Sequence, residues 1–291
     1  MTVAGRDYKG AVRVVPNDRG GCDVINILEL EDFLLGVVAR EMDPKGPLEA
    51  LKAQAIAARS HALHQICTSG NRSCDLVANL SQAYMGQPKL NKNIVLAIET
   101  TRGQVLVFKN KCFPSYFHSS CGGHTETEAD IWETKNESML PAAVVCPWCV
   151  RSSQNRWTFK ISRSALRQIL KEAGLTTGPT PSLSITRKTA GGHILRITIR
   201  SETGVLALSG EKFRALLGYG NLKSTLFDAS SAPRSVNAPD EIIVFHGNGF
   251  GHGVGLCQFG AEQMARQGAT STKILNHYFP KARVQDRFVS K

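Results

Sequence analysis

Two consecutive helical patterns near the N-terminus place the strongest constraint on the fold. Apolar residues recur at intervals of three and four from Leu30 to Val38, and the stripe continues for one more step to Glu41. Residues 44–47 contain two prolines and a glycine, which end the first pattern, and an alanine-rich pattern then continues to Ile66. Because small residues let helices approach closely, we expect a packed helix pair with a carboxylate at the end of one apolar face.

Short strand patterns occupy much of the remaining chain. Strands are predicted at residues 8–15, 22–27, 104–109, 113–118, 183–187, 194–199 and 241–245. Further helices are predicted at residues 164–173, 211–217, 260–266 and 272–278. This mixture predicts an α+β fold. We expect one body over residues 1–291, with a helical and metal-binding part (1–150), a basic inserted lobe (151–235) and a Gly-rich motif followed by helices (236–291).

The charge of the chain is concentrated in one segment. The composition is that of a globular protein, with 42% hydrophobic and 20% charged residues, and the formal net charge is +11. Residues 151–223 hold 13 basic and 3 acidic residues, so they carry nearly all of the excess. This segment could dock on nucleic acid, an anionic membrane or an anionic wall polymer, or could be a solvated face. No finger, ribbon or aromatic-and-basic motif supports nucleic acid.

The apolar runs of the chain are short. Residues 94–98 and 104–108 are typical, and both fall far below the roughly 18 residues that a membrane span needs. The N-terminus lacks the basic-then-apolar pattern of a signal peptide. We therefore expect either an internal protein or one whose export segment has been removed.

Histidine and cysteine pairs predict a structural zinc site. His118 and Cys121 form an HxxC pair, and Cys146 and Cys149 form a CxxC pair, which together supply the four N/S ligands of a closed tetrahedral site. A redox CxxC, a site in which His124 replaces one ligand, and simple packing of His118 and Cys121 are the alternatives. The remaining cysteines, Cys257 among them, are expected to be small buried hydrophobes, with pairing of Cys67 and Cys74 in an oxidising compartment as the alternative for those two.

Glu41 is a candidate general acid. A carboxyl that ends an apolar stripe is partly desolvated, and desolvation raises the pKa of a carboxyl group. The alternative is a Glu41 that faces solvent or pairs with Arg40 or Lys45.

The stretch of residues 247–261 is dense in glycine, which allows the backbone to approach a ligand closely. It lacks the Lys-Ser/Thr of a phosphate-binding P-loop and the context of a dinucleotide fold. His252 and Gln258 are therefore expected to contact a ligand or to fix the loop by hydrogen bonds.

Several further motifs occur in order along the chain: LGVVAREM (35–42), PLEALKAQAIAAR (47–59), SQAY (81–84) with Gly86, TRGQVL (101–106), FHSSCGGHTE (117–126), LSG (208–210) with FR (213–214) and LG (217–218), and GHGVG (251–255) with Gln258 and GA (260–261). Together these ordered motifs resemble the SpoIID/LytB family, the stage II sporulation protein D group.

This resemblance implies a lytic transglycosylase that cleaves the MurNAc–GlcNAc β-1,4 bond of denuded peptidoglycan glycan strands. Glu41 matches the catalytic glutamate of the family, and one carboxyl suffices because the C6 hydroxyl of MurNAc closes a 1,6-anhydro ring. Arg40 departs from the family pattern, since many relatives have a small or acidic residue there, and a neighbouring cation would lower the pKa of Glu41. A non-catalytic glycan-binding or amidase-enhancing module is the alternative.

The resemblance also implies a set of site residues and partners. The implied sugar contacts are Gln82, Tyr84, Ser119, Ser120, His252 and Gln258, all around a groove for an extended glycan. Some members bind zinc near the HxxC element, which His118 and Cys121 match, whereas many others have Ser at the position of Cys121. The implied partners are glycan strands and a cell-wall amidase, and the implied location is extracytoplasmic, although the N-terminal anchor common in the family is not visible at the start of this chain.

Overall fold

The two N-terminal helical patterns form helices α1 (Leu30–Glu41) and α2 (Leu48–Thr68) in the computed structural model of the protein. The structure describes residues 2–3, 5–70, 74–77, 84–87, 91–132, 142–150, 155–175, 182–201, 204–231 and 241–286. Helices and short strands alternate over these residues, which confirms the predicted α+β class.

The remaining helices are α3 (Lys92–Thr100), α4 (Glu128–Trp132), α5 (Arg163–Glu172), α6 (Gly210–Leu217), α7 (Gln258–Arg266) and α8 (Ser271–Tyr278). The strands are β1 (Thr2–Val3), β2 (Arg6–Asp7), β3 (Ala11–Pro16), β4 (Cys22–Ile27), β5 (Val105–Phe108), β6 (Lys111–Cys112), β7 (Phe117–His118), β8 (Arg156–Ser162), β9 (Ser182–Lys188), β10 (Ile194–Ser201), β11 (Gly204–Ser209), β12 (Phe227–Ser231), β13 (Ile242–Asn248), β14 (Leu256–Cys257) and β15 (Arg283–Gln285).

The chain divides into two compact units. Unit 1 contains the described residues up to Phe117 and those from Ala261 onwards. Unit 2 contains the described residues between His118 and Gly260. These boundaries differ from the divisions at residues 150 and 235 that the sequence suggested.

Unit 1 is built around α2. The helix packs against α1, α3, α8 and β5, and the three-stranded sheet β15–β5–β6 and the antiparallel hairpin β3–β4 complete the unit. Most α2 residues from Ala50 to Ala62 are buried. Their small side chains explain how one helix can have buried neighbours on several sides.

A buried ion pair links α2 to α1. Arg59 is 1% exposed, and its Nε and Nη2 donate to the two carboxylate oxygens of Glu31 at 2.8 and 2.7 Å. Its Nη1 donates to the carbonyl of Gln104 at 3.0 Å. This bidentate geometry satisfies a charge that would otherwise be costly to bury, and it fixes the position of α1.

Unit 2 contains two three-stranded antiparallel sheets, β12–β13–β8 and β11–β10–β9. Helices α5 and α6 contribute Leu166 and Phe213 to the same buried core as these sheets. The rings of Phe213, Phe227 and Phe245 lie 5.5–6.5 Å apart in it. Aromatic packing of this kind holds the sheets against their helices.

One local prediction is wrong in part. The predicted strand over residues 113–118 forms only at its end, as β7, whereas residues 113–116 form a tight turn, because Pro114 has no N–H and the Ser115 and Tyr116 amides donate to carbonyls two residues earlier. Helix α3 was not predicted, because its apolar run of residues 94–98 is too short to show a helical period; its N-cap Asn91 accepts a hydrogen bond from the Asn93 amide.

Among the described residues, none of the helices combines the length and the apolar character that a membrane crossing requires.

Candidate functional site

Glu41 is the last residue of α1 in unit 1. Four apolar residues of α1 are buried, and Met42, the next residue, is also buried and donates its amide to the Val38 carbonyl at 3.1 Å. Glu41 itself is half-buried and Arg40 is exposed. The helix therefore holds the Glu41 backbone firmly while its side chain remains partly open to solvent.

A tight turn follows Glu41. The Gly46 amide donates to the Asp43 carbonyl at 2.8 Å, and the Lys45 amide donates to the Asp43 carboxylate at 2.9 Å. A methyl group at Gly46 would lie 3.5 Å from Oε1 of Glu262 in α7. Burial, the main cause, and the negative charge of Asp43 raise the pKa of Glu262. Glu262 is thus a second carboxyl beside this turn, and no motif in the sequence singled it out.

Tyr84 packs along α1. Its ring lies 5.1 Å from that of Phe33, and a methyl group at Gly36 would lie 2.6 Å from its ring carbons. The hydroxyl donates to Asn26 Oδ1 at 3.1 Å, and burial raises the pKa of the phenol. Tyr84 therefore supports the helix that ends in Glu41. Gln82, the neighbouring predicted contact, lies outside the described residues.

Four cysteine sulfurs converge in unit 2. Cys121, Cys146, Cys149 and Cys257 are all 0% exposed, and their Sγ atoms lie within 4.8 Å of one another. The Sγ of Cys149 is 3.4 Å from that of Cys121 and 3.6 Å from that of Cys146. Burial is the main cause that raises the pKa of the Cys257 thiol well above its ordinary value. We call these four residues the cysteine cluster.

The predicted fourth ligand lies outside this cluster. His118 is buried, its Nδ1 is 3.1 Å from the Val254 carbonyl oxygen, and its Nε2 has no hydrogen-bond partner among the described residues. Burial lowers the pKa of His118 to about 4. Cys257, predicted to be a buried hydrophobe, takes the fourth position.

His124, the alternative ligand, is also outside the cysteine cluster. Its Nδ1 is 3.6 Å from Oε1 of Glu126, which also accepts a hydrogen bond from the Thr189 hydroxyl at 2.7 Å. The structure therefore places both His118 and His124 outside the cluster, in which the three cysteines predicted as ligands meet Cys257 instead.

The Gly-rich segment packs on the HxxC segment. Backbone hydrogen bonds join Ser120 and Phe250 in both directions, at 2.8 and 2.9 Å. Gly251 and Gly253 have φ values of +114° and +81°, and a methyl group on either would lie less than 2.8 Å from a histidine side chain. Glycine is needed here because the backbone is left-handed and the approach is close.

The predicted sugar contacts of unit 2 have different environments. Ser119 is exposed, whereas Ser120 is buried and its hydroxyl donates to Asn155 Oδ1. His252 is half-buried, its Nδ1 accepts from the Val254 amide at 3.0 Å, and its ring lies 5.3 Å from that of Trp132. Gln258 is buried at the start of α7. Ser119 and His252 are therefore the more open members of this set.

Comparison with known proteins agrees with these motifs. The family model of stage II sporulation protein, SpoIID, matches residues 18–108, and a domain of unknown function (DUF8618) matches residues 148–255. An uncharacterized protein of Brachyspira hyodysenteriae is 31% identical over 96% of this chain and 72% of its own length. Stage II sporulation protein D of Bacillus amyloliquefaciens is 30% identical over 95% of this chain and 80% of its own length.

A more distant relative has a different name. The amidase enhancer of Bacillus subtilis is 26% identical over 85% of this chain, which spans 39% of that protein. The similarity to the sporulation proteins extends over nearly the whole chain and includes both units. The chain therefore belongs to the SpoIID/LytB family.

Proposed function

We propose that this protein is a lytic transglycosylase that cleaves the MurNAc–GlcNAc β-1,4 bond of denuded peptidoglycan strands. The observation that carries the proposal is the position of Glu41, half-buried at the end of a helix that is anchored by its buried face and by the Arg59–Glu31 pair. A rigidly held, partly desolvated carboxyl is what general acid–base catalysis requires. Membership of a family named for a sporulation protein supports a role in sporulation or in remodelling of the cell wall.

In this reaction Glu41 acts twice. The protonated carboxyl donates its proton to the glycosidic oxygen while the bond between that oxygen and C1 of MurNAc breaks, and positive charge develops at C1. The carboxylate then removes the proton of the C6 hydroxyl, whose oxygen forms the new bond to C1. The products are a free GlcNAc hydroxyl and a 1,6-anhydro-MurNAc end. Glu41 is protonated again and no water is consumed.

The remaining site residues are proposed to hold the glycan. Ser119, which is exposed, and His252, which is half-buried, are proposed as glycan contacts, together with Gln258. Tyr84 is proposed to act mainly by supporting α1, since its ring fills the space left by Gly36. Gln82 and Ser120 stay proposed contacts on the strength of the motif match alone.

The basic segment is proposed to dock on an anionic wall or membrane surface outside the cytoplasm. Most of its described lysines and arginines are exposed. Arg214 is an exception, because it is buried and donates to the carbonyls of Leu222 and Lys223 at 2.8 Å. Arg214 therefore has a structural role within unit 2.

Replacement of Glu41 by Gln tests the proposal. We expect Glu41→Gln to release anhydro-MurNAc ends from denuded glycan about 100- to 10,000-fold more slowly, because the amide can neither donate nor accept the proton. The matched control is Glu99→Gln, an exposed carboxyl near the end of α3, which should retain full activity. Normal activity of Glu41→Gln would refute the assignment.

The name of the Bacillus subtilis amidase enhancer supports a second candidate function. In that case the protein stimulates a cell-wall amidase without cleaving glycan itself. Amidase activity on whole peptidoglycan should then rise equally with the wild type and with Glu41→Gln, and neither protein should produce anhydro ends. The same pair of proteins therefore separates the two functions.

A further inference from the structure

The cysteine cluster has the geometry of a metal site. We propose that Cys121, Cys146, Cys149 and Cys257 together bind one Zn²⁺ ion through four thiolates. In a tetrahedral site with zinc–sulfur bonds of about 2.3 Å, neighbouring sulfurs lie about 3.8 Å apart. The sulfur separations of 3.4 and 3.6 Å, and the 4.8 Å limit for the whole cluster, leave space for such an ion with small adjustments.

A disulfide pair explains the cluster less well. The sulfur–sulfur bond of a disulfide is about 2.05 Å long, and none of these four cysteines forms a disulfide in the structure. Two disulfides would use the four sulfurs in pairs and would not require all of them to lie at one point. Convergence of all four sulfurs is instead what a single tetrahedral ion requires.

Hydrogen bonds at Cys257 support its role as a ligand. The amide of Cys121 donates to Cys257 Sγ at 3.4 Å, and the amide of Gly260 donates to the same sulfur at 3.3 Å. Two backbone N–H donors stabilise negative charge on a buried sulfur. The second donor comes from the start of α7, two residues after Gln258.

Neighbouring groups also hold the CxxC turn in place. The side-chain amide of Asn155 donates to the Cys149 carbonyl, and its oxygen accepts from the Ser120 hydroxyl. The Cys146 amide donates to the Gly123 carbonyl at 2.8 Å. These bonds tie the two segments that supply Cys121 and the CxxC pair, so the ligands are arranged before any ion binds.

The proposed ion has a structural role. Four protein ligands leave no open position for a reactive water, and S₄ coordination is typical of closed sites. The ion would join three segments that are distant in sequence, at residue 121, residues 146–149 and residue 257. It would therefore stabilise unit 2 and the Gly-rich segment that contains Cys257.

Metal analysis of three variants tests the proposal. Wild-type protein purified without chelators should contain roughly one zinc per chain, and Cys257→Ala should contain less than about a tenth of that. Cys112→Ala removes a buried cysteine of unit 1 and should retain the metal. His118→Asn should also retain it, because Asn can keep a donor near the Val254 carbonyl while removing Nε2.

A cobalt spectrum keeps the test decisive if Cys257→Ala fails to fold. Cobalt-substituted wild type should show the intense charge-transfer absorption of four thiolates, and His118→Asn should show the same spectrum. A wild type without bound metal, disulfides that join the cluster, or metal lost from His118→Asn but retained in Cys257→Ala would overturn the proposal. Glycan cleavage is not a readout in either experiment, so the result is independent of the proposed reaction.

Discussion

Units 1 and 2 position their candidate sites by different means. Glu41 in unit 1 is positioned by a single helix, α1. This helix is held by its buried apolar face and by the ion pair between Glu31 and Arg59 of α2. The cysteine cluster in unit 2 is assembled from three separate segments and is held by backbone hydrogen bonds between loops. A site of the first kind depends on helix packing, whereas a site of the second kind depends on the convergence of loops. Disruption of each unit should therefore have separate consequences.

The largest effect on stability is expected in unit 1 on loss of the buried ion pair. Arg59→Met leaves the carboxylate of Glu31 without its partner, and removal of one member of a buried pair costs about 3–5 kcal/mol of unfolding free energy. Denaturant unfolding measures this loss. The matched control is Lys9→Met, whose pair with Asp32 is more exposed and should contribute less than about 1 kcal/mol. Equal losses in both variants would contradict the anchoring role of Arg59.

A buried histidine in α2 should make the stability of unit 1 depend on pH. Burial, with a smaller contribution from His64, lowers the pKa of His61 from 6.5 to about 4. The unfolded chain therefore binds a proton before the folded protein does, so stability is full above pH 6.5 and is lost as the pH falls towards 4. His61→Phe should remove about 3 kcal/mol of this acid sensitivity. Denaturant unfolding of both proteins at neutral and at acidic pH measures the effect. If the wild type and His61→Phe lost the same unfolding free energy on acidification, the prediction would be contradicted.

A substitution at Gly36 should disturb the packing of α1. A methyl group there would lie 2.6 Å from the Tyr84 ring and 2.8 Å from the Gly86 carbonyl oxygen, so Gly36→Ala should cost about 1–3 kcal/mol. We expect reduced glycan cleavage, since Glu41 ends the same helix. Gly220→Ala in unit 2 is the control, because no atom lies within 4 Å of the added methyl group. Thermal unfolding and cleavage assays on both variants measure the difference.

The smallest effect on stability is expected from reversal of surface charge in unit 2. Four exposed basic residues are suitable for replacement by Glu: Arg167, Lys171, Arg187 and Arg200. The variant should cleave soluble glycan normally but should bind isolated cell walls more weakly at low salt, because the basic surface is lost.

The control for this variant reverses four exposed basic residues of unit 1: Lys92, Arg102, Lys111 and Lys281. It changes the net charge by the same amount. Equal wall binding by the two variants would show that net charge, and not the basic segment, is responsible.

The sequence predicted unit 1 well where the pattern is local. The apolar stripe from Leu30 to Val38 defined α1, and alanines defined α2, because burial of one helix face leaves a periodic record. The pattern failed for α3, since five consecutive apolar residues in a nine-residue helix do not distinguish helix from strand. The N-cap Asn91 was the available signal.

The fourth member of the cysteine cluster could not be predicted in the same way. His118 lies three residues from Cys121, and this short spacing suggested a ligand pair. Cys257 lies in a different segment, more than a hundred residues beyond Cys149, and only folding brings its sulfur to the others. Spacing reveals ligands that share a turn, but it does not reveal those that converge through tertiary structure.

The most direct test of the account is the source of the oxygen at the new glycan ends. Wild-type protein would cleave denuded glycan in water enriched in heavy oxygen, and the products would be analysed by mass spectrometry. Because the C6 hydroxyl of MurNAc closes the ring, we expect 1,6-anhydro ends that carry no label. Labelled reducing ends would show hydrolysis by water, and would contradict a mechanism in which Glu41 acts alone as acid and base.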